Sequence, residues 1–217
     1  MKSKTRRGGK SEIQLEVLVE EDSAHRLLSS TLGNWIPGNP NVRFGVRKFR
    51  GKPDLLEKLP RLLSGYAEQR RKGADVRVVV LVDQDEDNCA ELKEKMECRA
   101  RESGLNTPSQ AGNEGYSVVN RIAVRELENW YFGDWKAVQS AFPKVKETSP
   151  EPYRSNADAT TKKTSDAFGR ILRSKGIRNQ SKPDWAARIA PNLEPERNRS
   201  ASFKAFLQGV RDLVNHR

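Results

Sequence analysis

Six carboxylates in three pairs carry the chemistry this sequence is able to do. Glu20 and Glu21 close the apolar run ending at Val19, Asp83 and Asp85 close the run Val78 to Val82, and Glu126 and Glu128 follow the run ending at Val124. Carboxylate oxygens suit hard divalent cations, so a site built from them points to Mg2+ or Mn2+. His25 and His216 are too few and too far apart in sequence for a histidine-rich transition-metal site. Cys89 and Cys98 fall on one expected helix and make neither a disulfide framework nor a zinc knuckle. A cation held by such acids beside a phosphodiester would activate water, polarise the phosphate and stabilise the leaving oxygen.

Any one pair has a plain alternative. Asp85 to Asn88 also reads as a solvated loop and helix cap, since Asp and Asn satisfy the free N–H groups of a helix start. In an extended chain, however, alternate side chains share a face, so Asp83 and Asp85 would project together at roughly 7 Å between Cα atoms. Three such pairs at strand ends argue for a metal, because gathered carboxylates repel unless a cation or protons neutralise them.

The elements that must position these acids follow from periodicity. Ile13 to Val19 alternates as a strand, Val42 to Phe49 as a second strand with a wetter face nearer a sheet edge, Val76 to Val82 as a strand buried on both faces, and Tyr116 to Val124 as a fourth. Between them, Ser23 is expected to cap a helix carrying Ala24, Leu27, Leu28 and Leu32, which ends in a loop at Gly33 to Pro40. Asp54 is expected to cap another helix, which either bends at Pro60 or is two shorter helices meeting there. Ala90 to Glu102 is a third helix, and Ser103 to Gly115 a mobile loop. Strands alternating with helices at this spacing imply βαβ units, a mainly parallel sheet, and a ligand beyond the carboxyl ends of its strands. The last pair depends on local structure. If the strand runs through Glu128, both glutamates share a face; if a helix starts at Arg125, only one points inward. Leu127, Trp130 and Tyr131 fit a helix, which makes Glu126 the direct ligand and Glu128 an outer or arginine-paired group.

The chain carries a net charge of +11, unevenly spread. Residues 1–10 hold five Lys or Arg and no acid, and residues 150–217 hold fourteen against seven acids, while the stretch between is nearly neutral at 21 against 22. A neutral core with an acid patch and basic flanks fits a metal site that handles a polyanion, DNA or RNA. Lys182, Arg188, Arg197 and Arg199, with Trp185, are candidates for a basic rim that contacts phosphate; equally, Asn198 to Ser202 simply caps the last helix. The organisation expected is a basic disordered tail at 1–10, an α/β domain at 11–142, and a linker with a helical C-terminal extension at 143–217. That extension carries helices at Ala167 to Leu172 and Phe203 to Val214. With no apolar run long enough to span a membrane and no signal-type segment in Met1 to Lys10, a cytoplasmic protein is expected.

Val19-Glu20 at one strand end and Asp83-Gln84-Asp85 at another resemble the Toprim fold shared by topoisomerases, bacterial primases and overcoming-lysogenization-defect-type nucleases. More closely, the segments L-E-V-L-V-E-E-D-S-A, F-R-G-K-P-D-L-L-E-K-L-P, V-V-V-L-V-D-Q-D, N-R-I-A-V-R-E-L-E-N-W-Y-F-G-D and N-R-S-A-S-F look like the bacterial domain-of-unknown-function 4276 family, grouped with Toprim-like proteins. The resemblance implies acid/base or metal roles for Glu20 and magnesium binding for Asp83 and Asp85. Glu21 stands where many Toprim members have glycine, and Ala24 where they have a further acid, a role that Glu126 or Glu128 would fill. Glu21, Asp87 and Glu128 then stand around the metal beyond its direct ligands. Two function classes follow. One is a Toprim-like nuclease acting with an ATPase partner in bacterial defence. The other is a non-catalytic module that keeps the fold and binds nucleic acid or a partner. No G-x-x-x-x-G-K loop is present, so nucleotide hydrolysis would belong to the partner.

Overall fold

The computed structural model describes residues 12–36, 41–112, 115–160 and 163–215; the basic tail expected at 1–10 lies outside them. Four strands, β1 (Ile13–Val19), β2 (Val42–Lys48), β3 (Asp75–Asp83) and β4 (Val118–Ala123), form one parallel sheet in the order β2-β1-β3-β4. The wetter strand β2 is an edge, as its alternation implies, and β3 lies inside the sheet, as its unbroken apolar run requires.

Side-chain alternation divides the core in two. Leu15, Val17, Val19, Val79 and Leu81 face one layer, together with Leu27, Leu28 and Leu32 of α1 (Asp22–Trp35). Leu18, Val76, Val78, Val80 and Val82 face the other, with α2 (Lys52–Arg71) and α3 (Cys89–Glu102). The first layer is completed by α4 (Asn129–Gly133), α5 (Trp135–Ala141), α6 (Thr164–Ser174), α7 (Lys182–Ile189) and α8 (Ala201–Asn215). Phe203 and Phe206 of α8 pack on Trp130 of α4 at ring separations of 5.2 and 5.1 Å, which joins α8 to the helices of this layer. Among the described residues no helix is long and apolar enough to cross a membrane.

Local details depart from the sequence expectations. Helix α1 begins at Asp22, so Ser23 lies in its first turn, bonding the Glu21 carboxylate instead of capping. The helix also runs through Gly33 to Trp35, where the glycine leaves room for the Phe44 ring, since an added Cβ would sit 3.2 Å from it; residues 37–40 of the expected loop lie outside the described residues. Gly51, not Asp54, is the N-cap of α2, and its φ of 95° suits glycine. Helix α2 is a single helix through Pro60. Beyond β3 the extended chain stops at Asp83, since Asp85 takes a φ of 53°. Beyond β4, Arg125 takes a φ of 60°, and a turn, neither strand nor helix, carries Glu126 to Glu128 before α4 starts at Asn129. The irregular stretch after α5 buries Val145, Tyr153, Ala157 and Ala159.

Candidate functional site

Parallel pairing sets the carboxyl ends of the strands side by side. Val19 pairs with Leu81, and Asp83 with Ala123, so Glu20, Asp83 and the turn after β4 meet at one end of the sheet. Glu20 is 7% exposed and accepts the backbone N–H of Asp83. Burial pushes its pKa up to about 7, against the opposing pull of that N–H and of Lys52. Asp83, equally buried, is raised well above the carboxylate range by burial and then by the charges of Glu20 and Glu128.

The turn after β4 gives its two glutamates different partners. Glu126 turns toward α6, where its oxygens accept the Ser165 N–H at 2.8 Å and the Ser165 hydroxyl at 2.9 Å. Glu128 is fully buried and neither of its oxygens makes a well-formed hydrogen bond to a described residue. Burial raises its pKa to about 8. The Tyr131 hydroxyl, one helical turn on, is likewise buried and unpartnered, with its pKa raised by burial, Glu128, Glu21 and Asp83.

Lys182 brings positive charge into this cluster. Ser181 and Asp184 form a capping box that starts α7, and the next residue after the cap, Lys182, extends its Nζ to Glu21 at 3.0 Å, Glu128 at 3.4 Å and Glu126 at 3.6 Å. Burial opposes its charge, but Glu128, Glu21 and Asp83 outweigh burial and raise its pKa. Of the three arginines expected beside it, Arg197 is held in an ion pair, while Arg188 and Arg199 are exposed and form no salt bridge with a described carboxylate. Arg197 clamps Asp134 at 2.8 and 2.9 Å, Arg188 lies 5.1 Å from the Phe142 ring centre, and Arg199 donates to the Arg154 carbonyl at 2.9 Å. The stretch after Arg197 does cap α8: the Ser200 hydroxyl accepts the Phe203 N–H at 3.0 Å.

Asp85 and Asp87 stand outside the buried group. The left-handed turn at Asp85 breaks the alternation expected from Asp83, and both outer acids bind Lys52, at 2.8 and 2.7 Å. Sequence reasoning does not single out Lys52. Its signal is the glycine before it, which folds α2 over the strand ends so that the Gly51 N–H reaches the Glu20 carbonyl at 2.8 Å.

The donor set fits a hard cation in chemistry: buried carboxylates with raised pKa and two oxygens of Glu128 without hydrogen bonds are stabilised by positive charge. Among the described residues no three such side chains are already closed on one point as a ligand set. Lys182 supplies part of that charge.

The family described as Domain of unknown function (DUF4276) matches residues 19–211. No curated protein matches the chain. Solved structures similar to it include the C-terminal region of the Burkholderia pseudomallei OLD protein, at 15% identity and a TM-score of 0.46, covering 92% of this chain and 98% of that one. The C-terminal region of the Xanthomonas campestris pv. campestris OLD protein gives 14% identity and a TM-score of 0.42, covering 94% of each chain.

Proposed function

We propose that this chain, which belongs to the DUF4276 family, is a metal-dependent phosphodiesterase acting on nucleic acid. The observation that carries the reading is the burial of Glu20, Asp83 and Glu128 together at the strand ends, with Glu128 left without hydrogen bonds. Leaving like charges buried and unpaired is costly, and chains keep such arrangements where a ligand completes them.

Asp83 and Glu128 would hold Mg2+ or Mn2+, with Asp85 joining them on release from Lys52. The bound cation supplies Lewis acidity to a phosphate oxygen and eases deprotonation of water. Glu20, with its pKa at about 7, both accepts and returns a proton near neutral pH, the property required of an acid/base group. Lys182 keeps the acids together in the absence of a cation and presents an ammonium to the phosphate. The Toprim-like motif supports an ATPase partner that would couple nucleotide hydrolysis to cleavage in bacterial defence.

Incubating the protein with plasmid DNA and with RNA, with and without Mg2+ or Mn2+, tests this reading. Cleavage that needs the cation and disappears in Asp83→Asn is expected. No cleavage of either polymer, joined to no calorimetric heat of Mg2+ binding, would reject it. The position of Lys182 specifically favours the second reading, a binding module whose lysine replaces the metal; that reading expects nucleic-acid binding indifferent to divalent cations.

A further inference from the structure

Arg197 is held by Asp134 while Arg188 and Arg199 stay exposed, and a second basic surface lies on a different segment. From Arg43 to Arg61 the chain carries seven Lys or Arg against two acids. The fold spreads this segment along edge strand β2 and the first half of α2. Arg43, Gly45 and Arg47 alternate out of β2 on the face opposite Val42, Phe44 and Val46, which pack on the α1 layer. Two open grooves of about 310 and 470 Å3 lie there, and both are lined by Arg47 and Lys58, so they form one path from Arg50 to Arg61.

Four of the charges along this segment are available, while Lys48 and Lys58 pair with Asp22 and Asp54. Arg43, Arg47, Arg50 and Arg61 are exposed, and none is in a salt bridge with a described carboxylate. Two nearby acids are already occupied: Asp54 accepts Lys58 and the Arg50 N–H, and Glu16 accepts Gln14 at 2.7 Å and Tyr66 at 3.4 Å, while Glu57 is exposed on α2. Arg47 also lies 5.4 Å from the Phe49 ring centre. The path runs straight into the acid site. Beyond β2 the Phe49 N–H donates to the Val19 carbonyl at 3.0 Å, the Gly51 N–H to that of Glu20 at 2.8 Å, and Lys52 reaches Asp85.

We infer that the β2 edge and the adjoining groove of α2 form the track that binds the phosphate backbone of a nucleic-acid strand and leads it to Glu20 and Asp83. This rests on the phosphodiesterase reading above for the direction of the track, though not for binding itself. Lys and Arg on an edge strand also guard against edge-to-edge aggregation. Edge protection, however, does not account for Arg50, Lys58 and Arg61, which lie beyond the strand. A row of guanidinium groups outside any salt bridge, along an open groove, suits a polyphosphate, whose affinity grows with each neutralised phosphate.

The test is fluorescence anisotropy of labelled single-stranded and duplex DNA in EDTA, where no cleavage occurs, using the full chain. Arg43, Arg47 and Arg61 are changed to Ser together; a control variant changes the exposed Arg71, Lys72 and Lys95 to Ser, removing the same charge. The track variant is expected to lose at least about tenfold in affinity. The slope of log affinity against log salt should fall by about two to three, at about 0.9 for each phosphate of duplex DNA that is no longer neutralised. The control should stay within about twofold of the parent. Equal losses in both variants would overturn the track, as would an equal loss by the track variant toward poly-glutamate, which would mean an acidic protein partner. If metal-dependent cleavage is absent yet the track variant alone loses DNA affinity, the track stands and the phosphodiesterase reading fails. If cleavage is present and both variants bind alike, the reverse holds.

Discussion

Glu97 and Glu128 are both buried glutamates beside a lysine, and their surroundings drive them in opposite directions. Glu97, on α3, takes an ion pair with Lys93 at 2.9 Å and hydrogen bonds from Thr107, from Ser109 at 3.0 Å and from Asn120 at 3.0 Å. Burial works against its charge, but these partners win and pull its pKa down to about 2. Glu128 has Lys182 at 3.4 Å, no well-formed hydrogen bond, and acids on its other sides, so burial prevails and its pKa rises to about 8. Burial alone therefore does not mark a functional acid. A carboxylate whose partners are complete holds the fold together; one left incomplete is the candidate for binding a ligand.

The sharpest way to break this contrast is to neutralise the incomplete cluster. Asp83→Asn removes an ionisable acid from a group whose members repel when charged, so folding stability in the absence of metal should hold or rise. Cation-dependent cleavage should fall at least about a hundredfold, the scale seen when a preorganised charged group is lost from a site. Denaturant unfolding and cleavage assays measure the two halves. A variant that unfolds more easily yet still cleaves would place Asp83 with the structural acids.

The complete cluster should respond the other way. Glu97→Ala leaves Lys93, Thr107, Ser109 and Asn120 without their shared acceptor, and a buried network broken on one side costs about 2 to 3 kcal/mol. The loss should appear in urea unfolding with cleavage intact once the chain is folded. A loss near zero would mean that solvent replaces the carboxylate, and that Glu97 is less enclosed than its partners indicate.

Both signs should also appear in the pH dependence of stability. Glu20 and Glu128 have folded-state pKa values of about 7 and about 8, against an ordinary 4.5. Between pH 4.5 and 8 the folded chain therefore retains protons that the unfolded chain has released, and stability falls as pH rises through that window. Glu97 acts at the other end: its contribution is complete above pH 4.5 and is lost as pH falls toward 2. Metal-free protein should be most stable near about pH 5 and lose stability progressively toward about pH 8. Mg2+ should flatten the alkaline loss, and Asp83→Asn should make it shallower. A stability profile that climbs steadily through this range without metal would contradict the assignment.

How much of this was legible in the sequence differs between fold and site. Strand β1 shows its limits directly, because Ile13, Leu15, Val17 and Val19 alternate and the acids stop the run; β3 shows its central place through unbroken valines. The same patterns brought Glu20 and Asp83 to one end of the sheet. What could not be read was the backbone after each strand. Left-handed turns at Asp85 and Arg125 obey no side-chain period, so the expected alternation of Asp83 with Asp85, and the expected helix at Arg125, both fail there. Nor does composition distinguish a lysine that faces solvent from one that enters an acid cluster. Lys182 joins the acids because the capping box at Ser181 fixes the start of α7, whereas Arg197, at the end of a 3-10 turn, finds Asp134.

The finest comparison lies within a single turn. Two residues apart, Glu126 has both oxygens bonded to Ser165 at the start of α6, and Glu128 has neither oxygen satisfied. Glu126 thus resembles Glu97, and Glu128 belongs with Asp83, the opposite of the order that a helix from Arg125 would impose. Glu126→Gln should lower stability by about 1 kcal/mol, the usual size of a lost helix cap, and leave Mg2+ affinity within about twofold. Glu128→Gln should keep or raise metal-free stability and weaken Mg2+ binding by about tenfold, since one charged donor leaves a cation site. Isothermal calorimetry and urea unfolding on the two variants separate these effects. If Glu126→Gln instead loses the metal while Glu128→Gln keeps it, Ser165 must release Glu126 when the cation arrives, and hydrogen-bond completeness would no longer separate structural from functional acids in this turn.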